Sequence, residues 1–590
     1  MSMRATRLVF IAILVLASAS GALLQTQILQ VQNVRFTGDL PFKGTKLEKI
    51  LGLKTGAPVA LSEINIRQKK LLLFLNRKGY LWARIDSLRL LPLADSSKFN
   101  IELSLYVGPL FTVQRIRIIS DSIPAKIYEH ALKLRAGEPF DQDLLTGDLH
   151  TLTKIAAERG YPFAEIKTTP RIDTQKHTVA LTVRIREGRR IFVKGIVLQG
   201  NRYTKPAVVL RQLYFRPGMK FSQSWFEKII PRLQKLQIYR SVDLPQIIRT
   251  AKDSVVVIVP VKEGNATTFD GVIGYVPRPG TNRVGSRKGY FTGLLNFSFQ
   301  NLFGTGRKLK IFWEKSDRLS EHFNFSYLEP WVLNQPIDLG GSFAREVKDT
   351  LYIAYDLTVL ANLHVNENFA FFVNFNRRSV LPDSLAELIL GMRKNRVYNL
   401  ETGMRYDTRD YPLNATKGVF YRSSYRFGLK TNLGSLRTIS GDTLSRTNSL
   451  STLSMTFELY RQIFKNQVLA LKLNARKIKG KHLQLSDYFW LGGSRSVRGY
   501  REKQFSGYLI GWANLEYRFI TGQNTRIFLF TDFGYYENKI PGQAAHEFLQ
   551  GTGLGLRFET PLGIMGLDFG LAKGEGFNQA KIHFGLTNRF

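Results

Sequence analysis

The C-terminal half of the chain consists of short segments in which polar and apolar residues alternate. From about residue 267 onward such segments, each roughly ten residues long, follow one another to the C-terminus. Alternation with a two-residue period over this length is what a tilted membrane strand requires. We count sixteen of these segments, which predicts a 16-stranded antiparallel transmembrane β-barrel over residues 265–590.

The last segment, Gln579–Phe590, shows this pattern most clearly. Its apolar residues Ala580, Ile582, Phe584 and Leu586 would all face one side of a strand. A one-sided soluble sheet alternates in the same way. It does not explain so many consecutive hairpins with aromatic residues near their ends, which is typical of membrane barrels.

The connections between the segments also alternate, in length. Tight turns such as Thr521–Asn524 and Thr560–Leu562 are predicted on the side where the barrel begins, and longer loops such as Asn538–Gln550 on the opposite side. Because the number of strands is even, the terminal Phe590 is expected on the same side as the N-terminal half.

The N-terminal half repeats three times. Gly56, Gly137 and Gly218 are each 81 residues apart, and around each glycine the same order recurs: strand, short helix, glycine-containing turn, longer helix, strand, strand. In the first copy we expect these elements at residues 31–37, 45–51, 62–77, 80–90 and 99–107. Such a period indicates an array of small domains. The fold prediction is therefore three α+β repeats of order βααββ followed by the barrel.

Each copy closes on a strand that ends in glycine, which sets the predicted boundaries. The three units are residues 28–108, 109–189 and 190–264. In the third copy, Pro231 lies within the longer helix. Because proline removes a backbone donor and clashes with the preceding turn, we expect a kink or a late start there.

The first residues resemble a secretory signal. Arg4 and Arg7 precede an apolar core, and Ala17-Ser18-Ala19 follows as a cleavage site, so residues 1–19 are predicted to be a signal peptide. No later window holds 18 uninterrupted apolar residues, which argues against an inner-membrane helical protein. The chain also has no cysteine, which excludes disulfides and a thiol nucleophile.

The formal net charge of +38 is spread over both halves of the chain. No basic helix or aromatic-studded patch stands out, so nucleic acid is not expected as a partner. For an exported protein, such charge fits anionic lipid headgroups or acidic partners, and a generally basic solvated surface fits it equally well. The histidines show no metal-ligand spacing, and no cofactor or metal is expected.

A glycine-rich stretch, Trp490–Tyr500, lies within a long loop between two predicted strands. Its glycines permit backbone turns with positive φ that could carry Arg498 into a crowded interior. Two carboxylates, Glu516 and Asp532, follow on the lumen-facing positions of later strands, and an inserted arginine would need such partners. On the loop alone, a solvated surface loop is an equally good interpretation.

The repeats resemble POTRA domains, which are periplasmic modules that precede outer-membrane barrels. Several barrel stretches resemble the outer-membrane assembly superfamily of BamA, TamA and the two-partner translocators. These stretches are residues 301–307 (NLFGTGR), 407–412 (DTRDYP), 418–419 (GV) and 563–568 (GIMGLD). Three POTRA units resemble TamA-type members most. The resemblance covers nearly the whole chain after the signal sequence.

The same resemblance implies roles for the loop. Val497, Arg498, Gly499 and Tyr500 match the VRGY signature of a lumen loop, with residues 530–534 (FTDFG) and 514–518 (NLEYR) as partner motifs on the thirteenth and twelfth strands. It therefore favours the lumen position, with Arg498 paired to Asp532 and Glu516 as second acceptor. Because we expect a wet, screened lumen, the pair is predicted to contribute only about 1 kcal/mol.

Family members insert or translocate proteins without enzymatic chemistry, so the resemblance implies an assembly or translocation factor of a bacterial-type outer membrane. The expected partners are unfolded outer-membrane or secreted client proteins, outer-membrane lipid or lipopolysaccharide, and a periplasm-spanning or lipoprotein partner. A two-partner-type secretion translocator and, less favoured, a passive outer-membrane channel remain as alternatives. An enzyme is the weakest reading, because no G-x-S-x-G elbow or nucleotide loop is present.

The barrel seam is the expected route for clients, since few backbone hydrogen bonds need break between first and last strands. Gly271, Ile273 and Gly274 in the first strand and Gly585 in the last mark this seam, where glycine weakens pairing. Close packing against the lumen loop is the other explanation for these glycines. The terminal Phe590 matches the assembly signal of such barrels. Because a barrel closes on itself, the repeats are predicted to be dispensable for its stability.

Overall fold

The computed structural model describes residues 28–53, 56, 58–93, 98–264, 267–276, 290–315, 317–433, 445–539, 545–560 and 563–587. The expected signal peptide, residues 1–19, and Phe590 lie outside these ranges. The chain forms two compact units. One unit comprises Met1–Gly195, Pro217–Glu227 and Arg249–Val256, and the other comprises Ile196–Arg216, Lys228–Ile248 and Val257–Phe590.

The first repeat is a four-stranded sheet covered by two helices. Its strands are β1 (Ile28–Thr37), β2 (Pro58–Ala60), β3 (Arg84–Pro92) and β4 (Lys98–Tyr106), in the order β2-β1-β4-β3, and its helices are Gly44–Leu51 and Leu61–Arg77. The apolar face of each helix packs on the sheet, so Leu47, Leu71, Leu75 and Leu103 are fully buried. The third strand begins later than predicted, at Arg84, because residues 80–83 form a turn.

The second repeat has the same βααββ order. Its strands are β5 (Thr112–Ser120), β6 (Glu165–Asp173) and β7 (Thr178–Arg186), in the order β5-β7-β6, and its helices are Ala125–Glu129 and Gln142–Glu158. Asp141 caps the longer helix by accepting from the backbone N–H groups of Asp143 and Leu144. The buried Asp148 holds the loop before that helix by accepting from the N–H groups of Lys133 and Leu134.

The third repeat contributes to both compact units. Its strands are β8 (Phe192–Gln199), β9 (Met219–Lys220), β10 (Tyr239–Val242), β11 (Gln246–Arg249) and β12 (Ser254–Glu263), and its helices are Pro206–Gln212, Gln223–Glu227 and Ile229–Lys235. The longer helix of the other repeats is broken here at Lys228. Pro231 explains the break, since it cannot donate to the carbonyl group four residues earlier, at Glu227.

The barrel sheet has sixteen strands, each antiparallel to the next, which confirms the predicted fold class. The first eleven are β13 (Thr267–Val276), β14 (Tyr290–Leu302), β15 (Arg307–Lys315), β16 (Glu321–Glu329), β17 (Ile337–Lys348), β18 (Tyr352–His364), β19 (Phe369–Pro382), β20 (Asn395–Asp407), β21 (Gly418–Asn432), β22 (Thr447–Phe464) and β23 (Gln467–Gly480). A separate two-stranded sheet follows, formed by β24 (Phe489–Leu491) and β25 (Phe505–Gly507).

The remaining barrel strands are β26 (Leu509–Ile520), β27 (Arg526–Glu537), β28 (His546–Thr560), β29 (Gly563–Ala572) and β30 (Lys581–Thr587). Short helical segments lie in the connections at Val332–Asn334, Ser384–Ile389, Leu485–Asp487 and Phe577–Gln579. The loop expected at Asn538–Gln550 is shorter than predicted, because His546 already pairs with Glu537. Within the described residues, no helix is both long and apolar enough to cross a membrane.

In the second unit, the loop after β8 lies against the turn that joins β14 to β15. The backbone N–H of Lys205 donates to the carbonyl of Gly304 at 2.8 Å, and Asn301 Nδ2 donates to Thr204 Oγ1 at 2.9 Å. Arg211 Nη2 donates to the carbonyl of Thr305 at 2.9 Å. This turn is part of the 301–307 stretch, so one of the sequence motifs serves as a docking point.

A second docking point lies in the turn between β18 and β19. Glu367 in this turn accepts from Lys228 Nζ at 2.7 Å and from Arg232 Nε at 2.6 Å. The expectation that the barrel's stability is independent of the repeats stays a prediction, and these contacts identify the third repeat as the one to test. Segments Ile196–Arg216 and Lys228–Ile248 of the third repeat belong to the same compact unit as the barrel strands.

Candidate functional site in the barrel lumen

The loop between β23 and β26 contains the stretch that the sequence singled out. Its base is the β24–β25 hairpin, in which Phe489 pairs with Gly507 and Leu491 with Phe505. The tip, residues 492–504, continues from this hairpin. Val497 and Leu491 are fully buried against Ile510, so the loop is packed inside the second unit.

Two glycines shape the start of the tip. Gly492 and Gly493 have φ values of 106° and 96°, which side chains on other residues resist. Gly492 N–H donates to Ser496 Oγ at 2.9 Å, and Gly493 N–H donates to the carbonyl of Val497 at 3.0 Å. A tight turn therefore delivers Arg498 to the barrel wall.

Arg498 is bound to Asp532 through three hydrogen bonds. Its backbone N–H donates to Asp532 Oδ2 at 2.9 Å, its Nε donates to the same oxygen at 2.7 Å, and its Nη2 donates to Oδ1 at 2.8 Å. Its guanidinium carbon lies 3.7 Å from the centre of the Phe530 ring, a cation–π contact. These contacts fix both the side chain and the backbone of the tip.

Glu516 is the second carboxylate at this centre. Its Oε1 lies 2.9 Å from Arg498 Nη1, and its Oε2 accepts from Arg518 Nε at 2.8 Å and from Nη2 at 2.6 Å. The structure thus brings Arg498, Asp532 and Glu516 together and adds Arg518. The sequence analysis missed Arg518, although it lies two residues after Glu516 and therefore on the same face of β26.

The centre is dry. Arg498 is 3% exposed, Asp532 0%, Glu516 5% and Arg518 2%. The expectation of a wet, screened lumen at this point is therefore wrong, because the loop and the wall exclude solvent from the four groups. Breaking a buried pair leaves an unpaired charge, which costs about 3–5 kcal/mol instead of the predicted 1 kcal/mol.

The loop tip packs closely against glycines of the neighbouring strands, which we call its seats. A Cβ at Gly534 would lie 2.7 Å from Val497 Cγ2, and a Cβ at Gly570 would lie 2.6 Å from the backbone nitrogen of Gly499. A Cβ at Gly551 would overlap the carbonyl oxygen of Arg498. These seats on β27, β28 and β29 could not be located from the sequence, since glycine is frequent throughout the barrel.

Further contacts hold the far side of the loop. Tyr500 Oη donates to the carbonyl of Gln550 at 3.2 Å, and its ring packs edge-on against Phe505. Asn514 Nδ2 donates to the carbonyl of Ser496 at 2.6 Å. All four residues of the 497–500 motif therefore have defined contacts: Val497 with the apolar cluster, Arg498 with the carboxylates, Gly499 with Gly570 and Tyr500 with Gln550.

The predicted seam residues lie on the first and last strands of the sheet order. Gly271, Ile273 and Gly274 pair with β14, and Gly585 pairs with Gly566 of β29. A Cβ at Gly271 would meet Leu295 and Phe269, and none of the described atoms lies within 4 Å of a Cβ at Gly585. The glycines that seat the loop are thus different from those chosen for the seam.

The arrangement has the geometry of a mechanical anchor. Arg498 and Arg518 face Glu516 and Asp532, so the four charges cancel. Within the described residues, no group of three histidine, aspartate or glutamate side chains could hold a metal ion. The geometry fits a loop locked to the wall through buried ion pairs.

Comparison with known families and proteins is consistent with this architecture. Residues 301–590 match the Omp85 superfamily domain, and residues 111–188 match the POTRA family, described as a surface antigen variable number repeat. The outer membrane protein assembly factor BamA of Nitratidesulfovibrio vulgaris is 22% identical over 528 residues, which cover 83% of this chain and 63% of that protein.

Two further relatives align with a smaller share of this chain. BamA of Neisseria meningitidis is 22% identical over 53% of this chain and 39% of its own length, and outer envelope protein 80 of Arabidopsis thaliana is 23% identical over 65% and 54%. The chain thus spans less than two thirds of the length of these relatives.

Among solved structures, CdiB from Escherichia coli aligns with a TM-score of 0.48 at 16% identity, covering 90% of this chain and 98% of that one. BamA from Haemophilus ducreyi lacking POTRA domains 1–3 aligns with a TM-score of 0.47 at 18% identity, covering 81% and 100%. The POTRA match precedes the Omp85 match along the chain, which is the order of the repeats and the barrel. The chain belongs to the Omp85 superfamily, and it is an outer-membrane protein with a periplasmic POTRA domain at residues 111–188.

Proposed function

We propose that this protein is a non-enzymatic outer-membrane assembly factor that receives unfolded, β-rich client proteins at its POTRA repeats and inserts them through the barrel seam. The observation that carries the proposal is the buried anchor of Arg498 on Asp532 and Glu516. A loop locked by buried ion pairs occupies lumen space that a passive channel would leave open for solutes, and this favours a barrel that works through its wall.

The alternative within the same class is a two-partner-type translocator that secretes a dedicated client. The chain's likeness to proteins named assembly factors supports insertion. Clients distinguish the two: an insertase handles many outer-membrane proteins, and a secretion translocator handles one. Two measurements separate these outcomes: a pull-down of clients with the tagged protein, and a comparison of the outer-membrane proteomes of depleted and parent cells. The material that co-purifies with the tagged protein also tests lipopolysaccharide and a periplasm-spanning or lipoprotein partner.

The seam is tested by a disulfide lock. Because the chain has no cysteine, Ile273→Cys can be combined with Gly585→Cys and neighbouring positions in a register scan. A disulfide forms only where Cα atoms come within about 7 Å. If clients enter here, the lock abolishes assembly activity and a reductant restores it.

The matched control places the bond inside the sheet. Ile273 is the direct cross-strand partner of Gly293, so Ile273→Cys with Gly293→Cys joins β13 to β14 and leaves the seam free. This variant should remain active when oxidised. Full activity of an efficiently locked seam would contradict lateral insertion, and it would leave the channel alternative in place.

A further inference from the structure

Four arginines project into the barrel from three strands of one part of its wall. They are Arg405 on β20, Arg422 and Arg426 on β21, and Arg476 on β23. On β20 and β21 the residues that alternate with them include Tyr406, Tyr425 and Phe427, which are large and exposed, as expected for the lipid-facing side. On β23, Arg476 shares its face with the buried Val468 and Ala470, whereas the exposed Leu469 lies on the opposite face. The four arginines therefore face the lumen.

Three of these arginines have no carboxylate partner. Arg426 Nη2 lies 2.8 Å from Glu401 Oε2. In the part of the chain that the structure describes, no carboxylate oxygen lies within 4.0 Å of a guanidinium nitrogen of Arg405, Arg422 or Arg476. Four arginines thus face one carboxylate, which leaves a net charge of +3 on this part of the wall.

The next carboxylates toward the periplasmic end are already occupied. Asp407 and Glu458 both bind Arg409, each at 2.8 Å. Glu458 also accepts from the hydroxyl of Tyr460 at 2.7 Å. They are therefore not free to neutralise the three arginines.

Like charges are placed directly opposite each other. Arg405 and Arg422 are cross-strand partners, an arrangement that destabilises a sheet. Arg476 is repelled by both Arg422 and Arg426 and attracted by Glu401. Glu401 offsets one of the four positive charges, so a bound anion would relieve the repulsion that remains.

The space between the arginines has a floor of small hydroxyl side chains. Thr456 lies opposite Arg422, Thr452 lies opposite Arg426, and Ser454 lies opposite Arg476. Short side chains leave the guanidinium groups room to converge. The hydroxyls of Thr452 and Ser454 add hydrogen-bond donors, while the hydroxyl of Thr456 donates to Asn474 Oδ1 at 2.9 Å.

One guanidinium is also held in place by an aromatic ring. Arg422 lies 4.3 Å from the centre of the buried Phe372 ring. That ring rests on Gly403, where a Cβ would approach Phe372 Cζ to 2.5 Å. The site is thus partly organised before any ligand arrives.

We propose that Arg405, Arg422, Arg426 and Arg476, together with the hydroxyl floor, form a lumen site that binds a phosphate-type oxyanion. We call this set the arginine wall. A phosphate carries a charge of about −1.5 to −2 and several strong acceptor oxygens, so it matches the surplus of three arginines better than a monovalent carboxylate does. Guanidinium forks are suited to such oxygens. The site is separate from the Arg498 anchor and does not depend on the assembly role.

The first test uses the unmodified protein in a phosphate-free, non-ionic detergent. Phenylglyoxal modifies accessible arginines, and peptide mass spectrometry gives the rate at each one. Inorganic phosphate at constant ionic strength should slow modification of Arg405, Arg422 and Arg476. Arg377, which is exposed on the outward face of β19, should be unaffected. Equal rates in phosphate and in sodium chloride overturn the proposal.

The second test uses variants. Each of Arg405→Gln, Arg422→Gln and Arg476→Gln should weaken phosphate binding about tenfold, the usual loss for one charge-assisted hydrogen bond. Arg377→Gln is the matched control and should bind as the parent does. Without phosphate, the three variants should melt no lower than the parent, because a repulsion has been removed. Unchanged phosphate affinity in all three contradicts the site.

The source of the phosphate is distinguished in vesicles. The protein is reconstituted in neutral glycolipid with or without phosphatidic acid, and phenylglyoxal protection is measured again. If phosphatidic acid protects the arginines in vesicles that contain no inorganic phosphate, a lipid headgroup is the ligand in the membrane. If protection there still requires added inorganic phosphate, the ligand is the free ion. If neither probe protects the arginine wall, the proposal fails.

Discussion

Glu187 in the second repeat and Glu263 in the third occupy equivalent positions. Each directly precedes the glycine that closes its repeat, and each accepts hydrogen bonds from three consecutive backbone N–H groups in the loop after the first strand. For Glu187 the donors are residues 121–123, at 3.0, 3.2 and 3.3 Å. For Glu263 they are residues 202–204, at 2.9, 2.9 and 2.8 Å. A single carboxylate therefore organises the start of each of these two repeats.

Replacing Glu187 should loosen this loop. Glu187→Gln keeps one acceptor oxygen but loses the charge, so at least one of the three N–H groups loses its acceptor, at a cost of about 1–3 kcal/mol. Hydrogen exchange at residues 121–123 should accelerate accordingly. Glu165→Gln, on an exposed position of β6, is the control and should leave exchange unchanged. Equal exchange in both variants would contradict the role of Glu187.

The same carboxylate should make the second repeat sensitive to acid. Although burial opposes ionisation, the hydrogen bonds from Ser120 and from the loop N–H groups hold the pKa of Glu187 below its usual range. Because the folded pKa is lower than the unfolded one, about 4.3, the stabilisation is fully present above that pH. It is lost as the pH falls through the folded pKa.

The check compares the parent with Glu187→Gln across pH. The difference in protection at residues 121–123 should be constant above about pH 5 and should shrink as the pH falls below about 4, since the glutamine does not titrate. Protection factors corrected for intrinsic exchange give this difference. A pH-independent difference would show that the charge of Glu187 is not involved.

The repeats illustrate what a sequence period can and cannot predict. The spacing of Gly56, Gly137 and Gly218 predicted the βααββ order, because a left-handed turn between the helices needs glycine in every copy. The carboxylate was missed since the first repeat has Val107 at the equivalent position, which breaks the pattern. Likewise the glycine period did not reveal that the third copy docks on the barrel turns, which depends on contacts between distant residues.

Arg498→Ala should release the lumen loop without unfolding the barrel. The change leaves Asp532 and Glu516 buried without their cation, a cost of about 3–5 kcal/mol that is concentrated at the loop. The sixteen-stranded sheet keeps its backbone pairing. Protease cleavage within residues 481–508 should therefore become faster, assembly activity should fall, and the protein should still shift on a gel when heated.

Arg495→Ala provides the control, because Arg495 lies in the same loop and is exposed. It should change neither cleavage nor activity. Unchanged loop cleavage together with full activity in Arg498→Ala would show that the anchor is not needed. Arg498→Lys should lie between the two, since an ammonium cannot reproduce the paired bonds to Asp532.

The sequence predicted which residues pair at the Arg498 site, but it did not predict that the site excludes solvent. Alternation in β26 and β27 placed Glu516 and Asp532 on the lumen face, and family resemblance supplied Arg498 as their partner. The dryness of the centre depends on the seats at Gly534, Gly551 and Gly570, three glycines from three strands that only the folded register brings together. The strength of the pair was therefore underestimated.

Truncation should reveal how far the barrel depends on the third repeat. A chain that begins at residue 190 keeps the bonds to Glu367 and to the 301–306 turn, and one that begins at residue 265 loses them. We expect the shorter chain to lose its heat-resistant form at a lower temperature, by roughly 2–4 °C for each kcal/mol of lost docking. Equal transition temperatures would bear out the expectation that the barrel is independent.

A single methyl group should test the docking more finely. Gly304 has a φ of 69°, and a Cβ there would overlap the carbonyl oxygen of Tyr203, so Gly304→Ala pushes the turn away from the third repeat. Gly574→Ala is the matched control: its φ is 84°, and none of the described atoms lies within 4 Å of the added Cβ. Both variants bear the strain of alanine in a left-handed conformation, about 1–2 kcal/mol, but Gly304→Ala alone disrupts a contact. Gly304→Ala should therefore lower the transition temperature further and speed proteolysis near residues 200–205. Identical behaviour of the two variants would mean that the contact between this turn and the third repeat does not stabilise the protein.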